Sequence, residues 1–243
     1  GTAAEDREVT LRRASLLLAG AKPHEEALSE AKKSDAGLRQ QILGLMGGAG
    51  FRDFIIRNAD DRLLVQGLLN GVDFNIDVDG RYPELGKLAM TLPTEPPEEY
   101  QDFHEKPFLR QGDARWEVMW AVSQEPLELI AHVIMNDLPY SEVLTADYTM
   151  VNAFTDLAYR SDSGFSHDFT DERGFYDRRE FTVFRPGYNN GYVPRDEYYV
   201  SDRNGWVSEF SDYFEVPHAG ILSTQAWLAR YPSTDTNRNR ARA

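Results

Sequence analysis

The first candidate binding site in this chain is a short acidic stretch that ends in glycine. Asn75, Asp77 and Asp79 alternate ahead of Gly80, which is the order of oxygen ligands that opens a calcium-binding loop. Such a loop needs an acidic residue at its twelfth position, where this chain has Gly86. The favoured interpretation is therefore an Asp-Gly hairpin turn between two short strands, with a calcium site as the alternative.

The histidines do not form a recognisable metal-binding pair. None of the five has a second histidine one helical turn away. His167 precedes Asp168, and a hydrogen bond that only supports the structure is the favoured interpretation of that pair. Nucleophile elbows, phosphate loops and dinucleotide fingerprints are absent from the sequence, so the catalytic residues are unknown and enzymatic activity stays an open question.

Aromatic residues crowd the stretch from 164 to 213, where helical periodicity disappears. Packing is the default role for such residues, because each one buries a large apolar area. One alternative is a recognition surface for carbohydrate or another extracellular ligand, since aromatic side chains are enriched in binding surfaces. Another is a redox-active set of tyrosines. The candidate members of this aromatic surface are Tyr188, Tyr192 and Tyr198.

Composition narrows the range of partners. The chain carries 40 acidic and 26 basic residues and a formal net charge of −14, which argues against nucleic acid and favours a basic partner. No apolar run approaches the roughly 20 residues of a membrane-spanning helix, and no signal-peptide pattern opens the sequence. The absence of cysteine excludes thiolate metal sites and covalent attachment of a c-type haem through Cys-x-x-Cys-His.

These residues must be positioned by a mainly α fold with a helical bundle-like core and a small irregular or β segment rich in aromatics. Periodic apolar residues and capping signals carry the helix predictions. Pro126 is expected to kink or restart the helix that contains it. The predicted helices run from 8 to 18 with a stop at Gly20, from Pro23 to the Gly47-Gly48 pair, from 51 to 69, and from 114 to 135.

The chain is expected to contain a helical domain over residues 1–160, followed by the aromatic segment and the start of a second domain over residues 161–243. The carboxy-terminal stretch passes from an apolar, helix-like segment into a polar tail with spaced arginines. We interpret this tail as the edge of a surface that a partner completes, with a frayed terminus as the alternative.

Three stretches carry a family resemblance. Residues 11–23 join an Arg-Arg helix to a Gly-x-x-Pro turn, and residues 136–152 contain Pro-Tyr followed by Leu-Thr-Ala-Asp-Tyr-Thr and Val-Asn. Residues 218–243 contain a Gly-Ile-Leu turn and an Asn-Arg-x-Arg tail. In this order, the three stretches resemble planctomycete-type cytochrome-associated proteins, whose domains of unknown function precede a c-type haem domain. The second stretch is the most specific match.

The resemblance implies a periplasmic or secreted redox setting. The chain would be a haem-free subunit or front portion of a heteromeric c-type cytochrome assembly, and would support electron transfer or oxidoreductase chemistry by docking the haem-bearing part. Arginine suits docking because its guanidinium pairs bidentately with carboxylates, including haem propionates. The expected docking residues are His218, Tyr231, Asn237, Arg238, Asn239 and Arg240.

The signature residues Asp147, Tyr148 and Asn152 have a structural interpretation as well. Asp147 and Asn152 are suited to capping a helix or bonding nearby backbone, and tyrosine supplies apolar packing. Two other functions stay open. One is an extracellular module that binds carbohydrate through the aromatic surface, with calcium as a further ligand. The other is an enzyme that uses His167 with Asp168, or a tyrosine.

Overall fold

The computed structural model describes residues 2–65, 111–159, 161, 163–165, 182–188, 193–194, 197–202, 205–210, 213–214, 218–224, 226–227 and 231. Within these residues the chain is mainly helical, as the sequence predicts. The chain divides into two compact units. The first unit comprises Gly1–Leu64 and Ile130–Tyr140, and the second comprises Val65–Leu129 and Ser141–Ala243. The domain boundary predicted near residue 160 stays a prediction.

Helix α1 (Ala3–Ala19) has strong local signals at both ends. Thr2 and Glu5 form a capping box, in which the Glu5 amide donates to the Thr2 hydroxyl and the Thr2 amide donates to the Glu5 carboxylate at 2.7 Å. The helix ends at Gly20, which adopts a left-handed conformation with φ 65°. The predicted stop at Gly20 is therefore confirmed.

The predicted helix from Pro23 to the Gly47-Gly48 pair was wrong as a single element. The structure has two helices, α2 (Glu25–Lys33) and α3 (Asp35–Leu45). Ser34 separates them with an extended backbone, and its hydroxyl accepts a hydrogen bond from the Gly37 amide at 3.0 Å. A serine that caps a helix competes with continuation of the preceding one, which explains the break.

Helix α4 (Ala49–Leu63) begins two residues before the predicted start and ends earlier than predicted, because Leu64 is left-handed with φ 53°. It buries Phe51, Ile55 and Ala59, which recur every four residues. Helix α1 lies against α2, α3 and α4. The fully buried centre of this bundle is formed by Leu11, Leu28 and Ala31, with Ala27, Leu38, Ile42 and Leu45 packed around it.

In the second unit, the local structure combines short helices with strand pairs. Helix α5 (Gln111–Met135) continues across Pro126, so the helix does not restart at this proline, and the alternative expectation of a kink stays a prediction. Its residues from Ile130 onward belong to the first unit. Two shorter helices follow, α6 (Glu142–Thr145) and α7 (Ala153–Tyr159). None of the helices in the described ranges combines the length and the apolar character that crossing a membrane would require.

Three antiparallel strand pairs complete the described part of the second unit. Strand β1 (Thr149–Val151) pairs with β2 (Arg185–Gly187), with Thr149 opposite Gly187. Strands β3 (Val193–Pro194) and β6 (Tyr213–Phe214) pair, as do β4 (Glu197–Asp202) and β5 (Gly205–Phe210). Much of the aromatic segment lies outside the described residues, so its predicted irregular or β character as a whole stays a prediction.

Candidate functional site

We call residues 136–152, the second of the three stretches that carry the resemblance, the signature stretch. It forms α6 and the turn into β1. The Tyr148 hydroxyl donates to Glu142 Oε2 at 2.9 Å and spans the turn between them. Partial burial, together with the hydrogen bond to Glu142, raises the pKa of Tyr148 to about 12. The phenol therefore stays neutral at physiological pH and holds the turn in place.

Asn152 caps α7 from a fully buried position. Its side-chain oxygen accepts from the Phe154 and Thr155 amides, each at 3.0 Å. In return, the Asn152 amide donates to the Thr155 hydroxyl at 3.0 Å. This reciprocal cap satisfies buried donors at the helix start, and it gives Asn152 a structural role.

A backbone junction joins the signature stretch to the segment at 218–224. The Gly220 amide donates to Ala146 O at 3.0 Å, and the Ile221 amide donates to Val143 O at 2.8 Å. Gly220 is buried with φ 52°, and a Cβ at this position would lie 2.1 Å from Val143 O. Only glycine fits this approach without displacement of backbone.

Beyond the junction the chain stays attached to the second unit. Ile221, Thr224 and Ala226 are buried. The Thr224 hydroxyl donates to Ile221 O at 2.7 Å and accepts from the Trp227 amide at 3.4 Å. The ring of Tyr231 lies 4.5 Å from that of Trp227, while 42% of Tyr231 remains exposed. The start of the carboxy-terminal stretch is thus packed structure rather than a free tail.

His218 opens this segment and is half-buried. Its ring meets the ring of Tyr188 edge-on, with centroids 6.3 Å apart. Burial lowers the pKa of His218, and the nearby carboxylate of Asp147 opposes that shift. The neutral imidazole is therefore the form that the native contact favours.

The side chains around the junction form a surface that we call the junction face: the exposed Leu144, Asp147, Tyr188 and Leu222, and the half-buried His218. Leu144 and Leu222 are 51% and 41% exposed, and Tyr188 is 50% exposed. They flank the backbone contact, since an added Cβ on Gly220 would also lie 2.8 Å from the Leu144 Cα. Exposed apolar groups that are grouped in this way are typical of an interaction surface.

The junction face brings together sequence candidates from three different predictions. His218 was expected to dock a partner, Tyr188 to belong to an aromatic surface, and Asp147 to a structural signature. The candidates beyond the described side chains stay predictions. Tyr198 lies in β4 and only its backbone is described. The others lie outside the described residues: Asn75, Asp77, Asp79, His167, Asp168, Tyr192, Asn237, Arg238, Asn239 and Arg240.

Sequence reasoning missed a set of buried polar residues in the second unit. It treated α5 as amphipathic, whereas every residue from Ala121 to Ala131 is buried. A signal was available, because no lysine or arginine occurs between Arg115 and Arg160. Among the described residues of this unit, the buried polar ones are Ser123, Gln124, Glu125, Glu128, Thr149, Asn152, Thr155, Asp156, Ser161 and Thr224.

Glu125 has the most unusual environment of these groups. It is 1% exposed, and its Oε1 atom has no hydrogen-bond partner in the part of the chain that the structure describes. Burial raises the pKa of the Glu125 carboxyl well above its usual range, while interaction with the Tyr159 hydroxyl works in the opposite direction. The raised pKa favours the neutral acid over a buried carboxylate in this helix.

Asp156 has a structural environment instead. Its Oδ1 atom accepts hydrogen bonds from the Ser161 hydroxyl and from the Ser163 amide, the latter at 2.8 Å, and so closes the turn after α7. Among the described residues, no three histidine, aspartate or glutamate side chains form a group that could hold a metal ion.

Comparisons with protein-family profiles, curated protein sequences and solved structures give no match to this chain. Only the fold and the site therefore indicate the class of protein. It is a mainly helical protein with an exposed, partly apolar junction face on a unit that buries several acids.

Proposed function

We propose that the chain is a haem-free subunit or portion of a periplasmic or secreted c-type cytochrome assembly, and that the junction face docks the haem-bearing part. The observation that carries this proposal is the backbone junction between Ala146 and Gly220. It joins two of the three stretches on which the resemblance rests, although they lie far apart in the sequence. Residues that are packed together in this way can act as one surface.

The composition of the junction face supports docking of another protein. Leu144, Tyr188 and Leu222 offer exposed apolar area, and Asp147 adds an exposed carboxylate. Interfaces combine an apolar centre with polar groups at the edge. The net charge of −14 further favours a partner with a basic surface, because opposite charges accelerate encounter and select the partner.

The haem itself must be carried elsewhere in this proposal. The chain has no cysteine, and covalent c-type attachment requires two of them. In the proposal, Arg238 and Arg240 contribute to docking by pairing with carboxylates of the haem-bearing part. Electron transfer or other redox chemistry then takes place on that part, while this chain holds it in position.

Co-purification with variants of the junction face tests the proposal. The Leu144→Ser, Leu222→Ser double variant should reduce recovery of a haem protein from a periplasmic extract about tenfold, which corresponds to about 1.4 kcal/mol of binding free energy. Recovery is measured as Soret absorption together with a second band on a denaturing gel. The matched control is Leu16→Ser with Leu17→Ser, two exposed leucines of α1, which should retain the partner. A colourless preparation of the native chain would contradict the proposal.

A carbohydrate-binding module is the alternative function, and the exposed ring of Tyr188 is the observation that favours it. Isothermal titration against a glycan panel, with and without calcium, separates the two functions. Docking predicts no heat with any glycan. A module of the alternative kind predicts heat with the native chain that Tyr188→Ala abolishes and that the exposed Tyr140→Ala control retains.

A further inference from the structure

Backbone hydrogen bonds hold the start of the segment at 218–224 against the signature stretch. Two backbone hydrogen bonds, from the amides of Gly220 and Ile221, tie it to the signature stretch. A further bond closes the turn within the segment, in which the Ser223 hydroxyl accepts from the Ala219 amide at 2.9 Å. His218 immediately precedes these bonds. The protonation state of its imidazole ring therefore affects whether residues 218–224 stay bonded to the signature stretch.

We propose that His218 is a pH-sensitive latch of the junction face, whose protonation loosens residues 218–224 from residues 142–148. The half-buried ring lies edge-on to Tyr188, in a position that accommodates a neutral imidazole. A charged ring regains hydration when it leaves this position, so protonation favours the loosened state. The junction face is then rearranged, because Leu222 and His218 move with the segment.

The titratable groups around His218 set the size of the response. From the signature stretch, Asp147 presents a carboxylate that favours the protonated ring. Tyr148 is neutral and hydrogen-bonded to Glu142, so this pair is fixed within its own turn. From the other side, Tyr188 contributes the aromatic ring that meets the imidazole edge-on. Asp147 is thus the group among these that opposes the latch.

The sign of the pH dependence follows from the environment of the ring. Burial lowers the pKa of His218 in the closed state below its ordinary value of 6.5, which the loosened state regains. The loosened state therefore binds more protons as the pH falls through this window, and the closed state loses stability on acidification. This inference relies on the proposed function only for its consequence, which is release of the docked partner at acidic pH.

Amide hydrogen exchange on the isolated chain tests the latch without any partner. After correction for the intrinsic pH dependence of exchange, protection of the Gly220 and Ile221 amides should fall roughly threefold to tenfold between pH 7.5 and pH 5.5. The Asp156 amide, which is bonded to Asn152 O in the same unit, is the internal reference and should keep its protection. Equal protection of the junction amides at both pH values would overturn the latch.

Two variants separate titration of the ring from a merely structural role. His218→Gln cannot be protonated, so the protection of its junction amides should not change between the two pH values. Asp147→Asn removes the opposing carboxylate, so the loss of protection on acidification should become larger. A pH response that is unchanged in both variants would overturn the proposal. Absence of a haem partner in co-purification would instead contradict the proposed function and leave this test unaffected.

Discussion

Glu8 in the first unit and Glu125 in the second unit show how differently the two units place their acids. Glu8 lies on α1 beside Arg12 and Lys32, whose hydrogen bonds lower the pKa of its carboxyl. Glu125 lies on a fully buried stretch of α5, and burial raises the pKa of its carboxyl. The same residue type is therefore an ionised surface partner in one unit and is favoured as a neutral buried acid in the other.

The comparison extends to what holds each unit together. The centre of the first unit is a cluster of aliphatic residues around Leu11 and Leu28, and its ion pairs lie at the surface. The second unit also has buried apolar residues, such as Leu127 and Phe154, and it adds buried polar contacts such as the Asn152 cap and the turn at Asp156. Apolar packing tolerates many substitutions, whereas a buried polar contact fails when one partner is removed. We therefore expect single changes to be most informative in the second unit.

The largest expected effect is the loss of stability caused by Gly220→Ala. The same substitution at Gly44, in the first unit, allows the two units to be compared. Gly220→Ala places a Cβ 2.1 Å from Val143 O at a residue with φ 52°. Backbone strain and overpacking each cost about 1–3 kcal/mol, so the second unit should lose about 3 kcal/mol of unfolding free energy. Urea denaturation followed by tryptophan fluorescence measures this, since Trp116, Trp120, Trp206 and Trp227 all belong to that unit.

Gly44→Ala in α3 is the matched control in the first unit. Apart from its chain neighbours and the backbone of its own helix, no atom of the described residues lies within 4 Å of the position that its Cβ would occupy. Alanine is the better helix former, so this variant should gain about 0.5–1 kcal/mol, as measured by far-UV circular dichroism in urea. A stabilised Gly220→Ala, or a strongly destabilised Gly44→Ala, would remove the distinction between a constrained glycine and a tolerated one.

The next effect in size concerns Glu125 and the pH dependence of stability. The ordinary pKa of a glutamate carboxyl is 4.5, and the pKa of Glu125 is raised above this value in the folded state. Between the ordinary pKa and the raised one, folding therefore takes up a proton. Stability of the second unit should fall as the pH rises through that window. Glu125→Gln should abolish this slope and gain about 1–3 kcal/mol or more at pH 9, because the neutral amide does not carry the cost of a buried charge. Tryptophan-detected urea denaturation at pH 5, 7 and 9 provides the measurement.

Glu8→Gln is the corresponding variant in the first unit, where the pH dependence of stability should have the opposite sign. Its partners lower the pKa of Glu8, so their contribution is present above the ordinary value of 4.5 and is lost as the pH falls through the lowered value. The variant should therefore weaken the acid dependence of the first unit, as followed by circular dichroism between pH 3 and pH 7. If both glutamates gave slopes of the same sign, the contrast between a paired surface acid and a buried one would be wrong.

The sequence predicts those parts of the fold that depend on local signals. Helix α1 has a capping residue before it and a glycine after it, and both act within one turn of the chain. The break at Ser34 was missed because the apolar residues on either side keep the helical spacing. The early end of α4 at Leu64 was also missed, since leucine carries no stop signal.

The site was harder to predict than the helices because its contacts are not local. His218 and Asp147 were each singled out from the sequence, but for different reasons. Their meeting depends on the backbone bonds of Gly220 and Ile221 to the signature stretch. The burial of Glu125 was missed for a related reason. Spacing within a helix shows which residues share a side, but not whether both sides are covered.

The smallest expected effects compare two helix caps. Asn152→Ala removes the acceptor of two buried amides at the start of α7, and water cannot readily replace it at a fully buried position. The loss should approach the upper end of the range for caps, about 2 kcal/mol, as measured by tryptophan-detected urea denaturation. Ser34→Ala removes one acceptor at the start of α3, where the exposed Gly37 amide can bond to water instead.

The loss for Ser34→Ala should therefore lie near the lower end of that range, about 0.5 kcal/mol, as measured by circular dichroism in urea. Asn152→Asp serves as the control for the buried cap, because aspartate keeps the acceptor oxygen. It should restore the cap only if its carboxylate can be buried at this position. Equal losses for Asn152→Ala and Ser34→Ala would mean that burial adds nothing to a cap. A larger loss at Asn152 would show that the second unit depends on its buried polar contacts more than the first unit depends on its exposed ones.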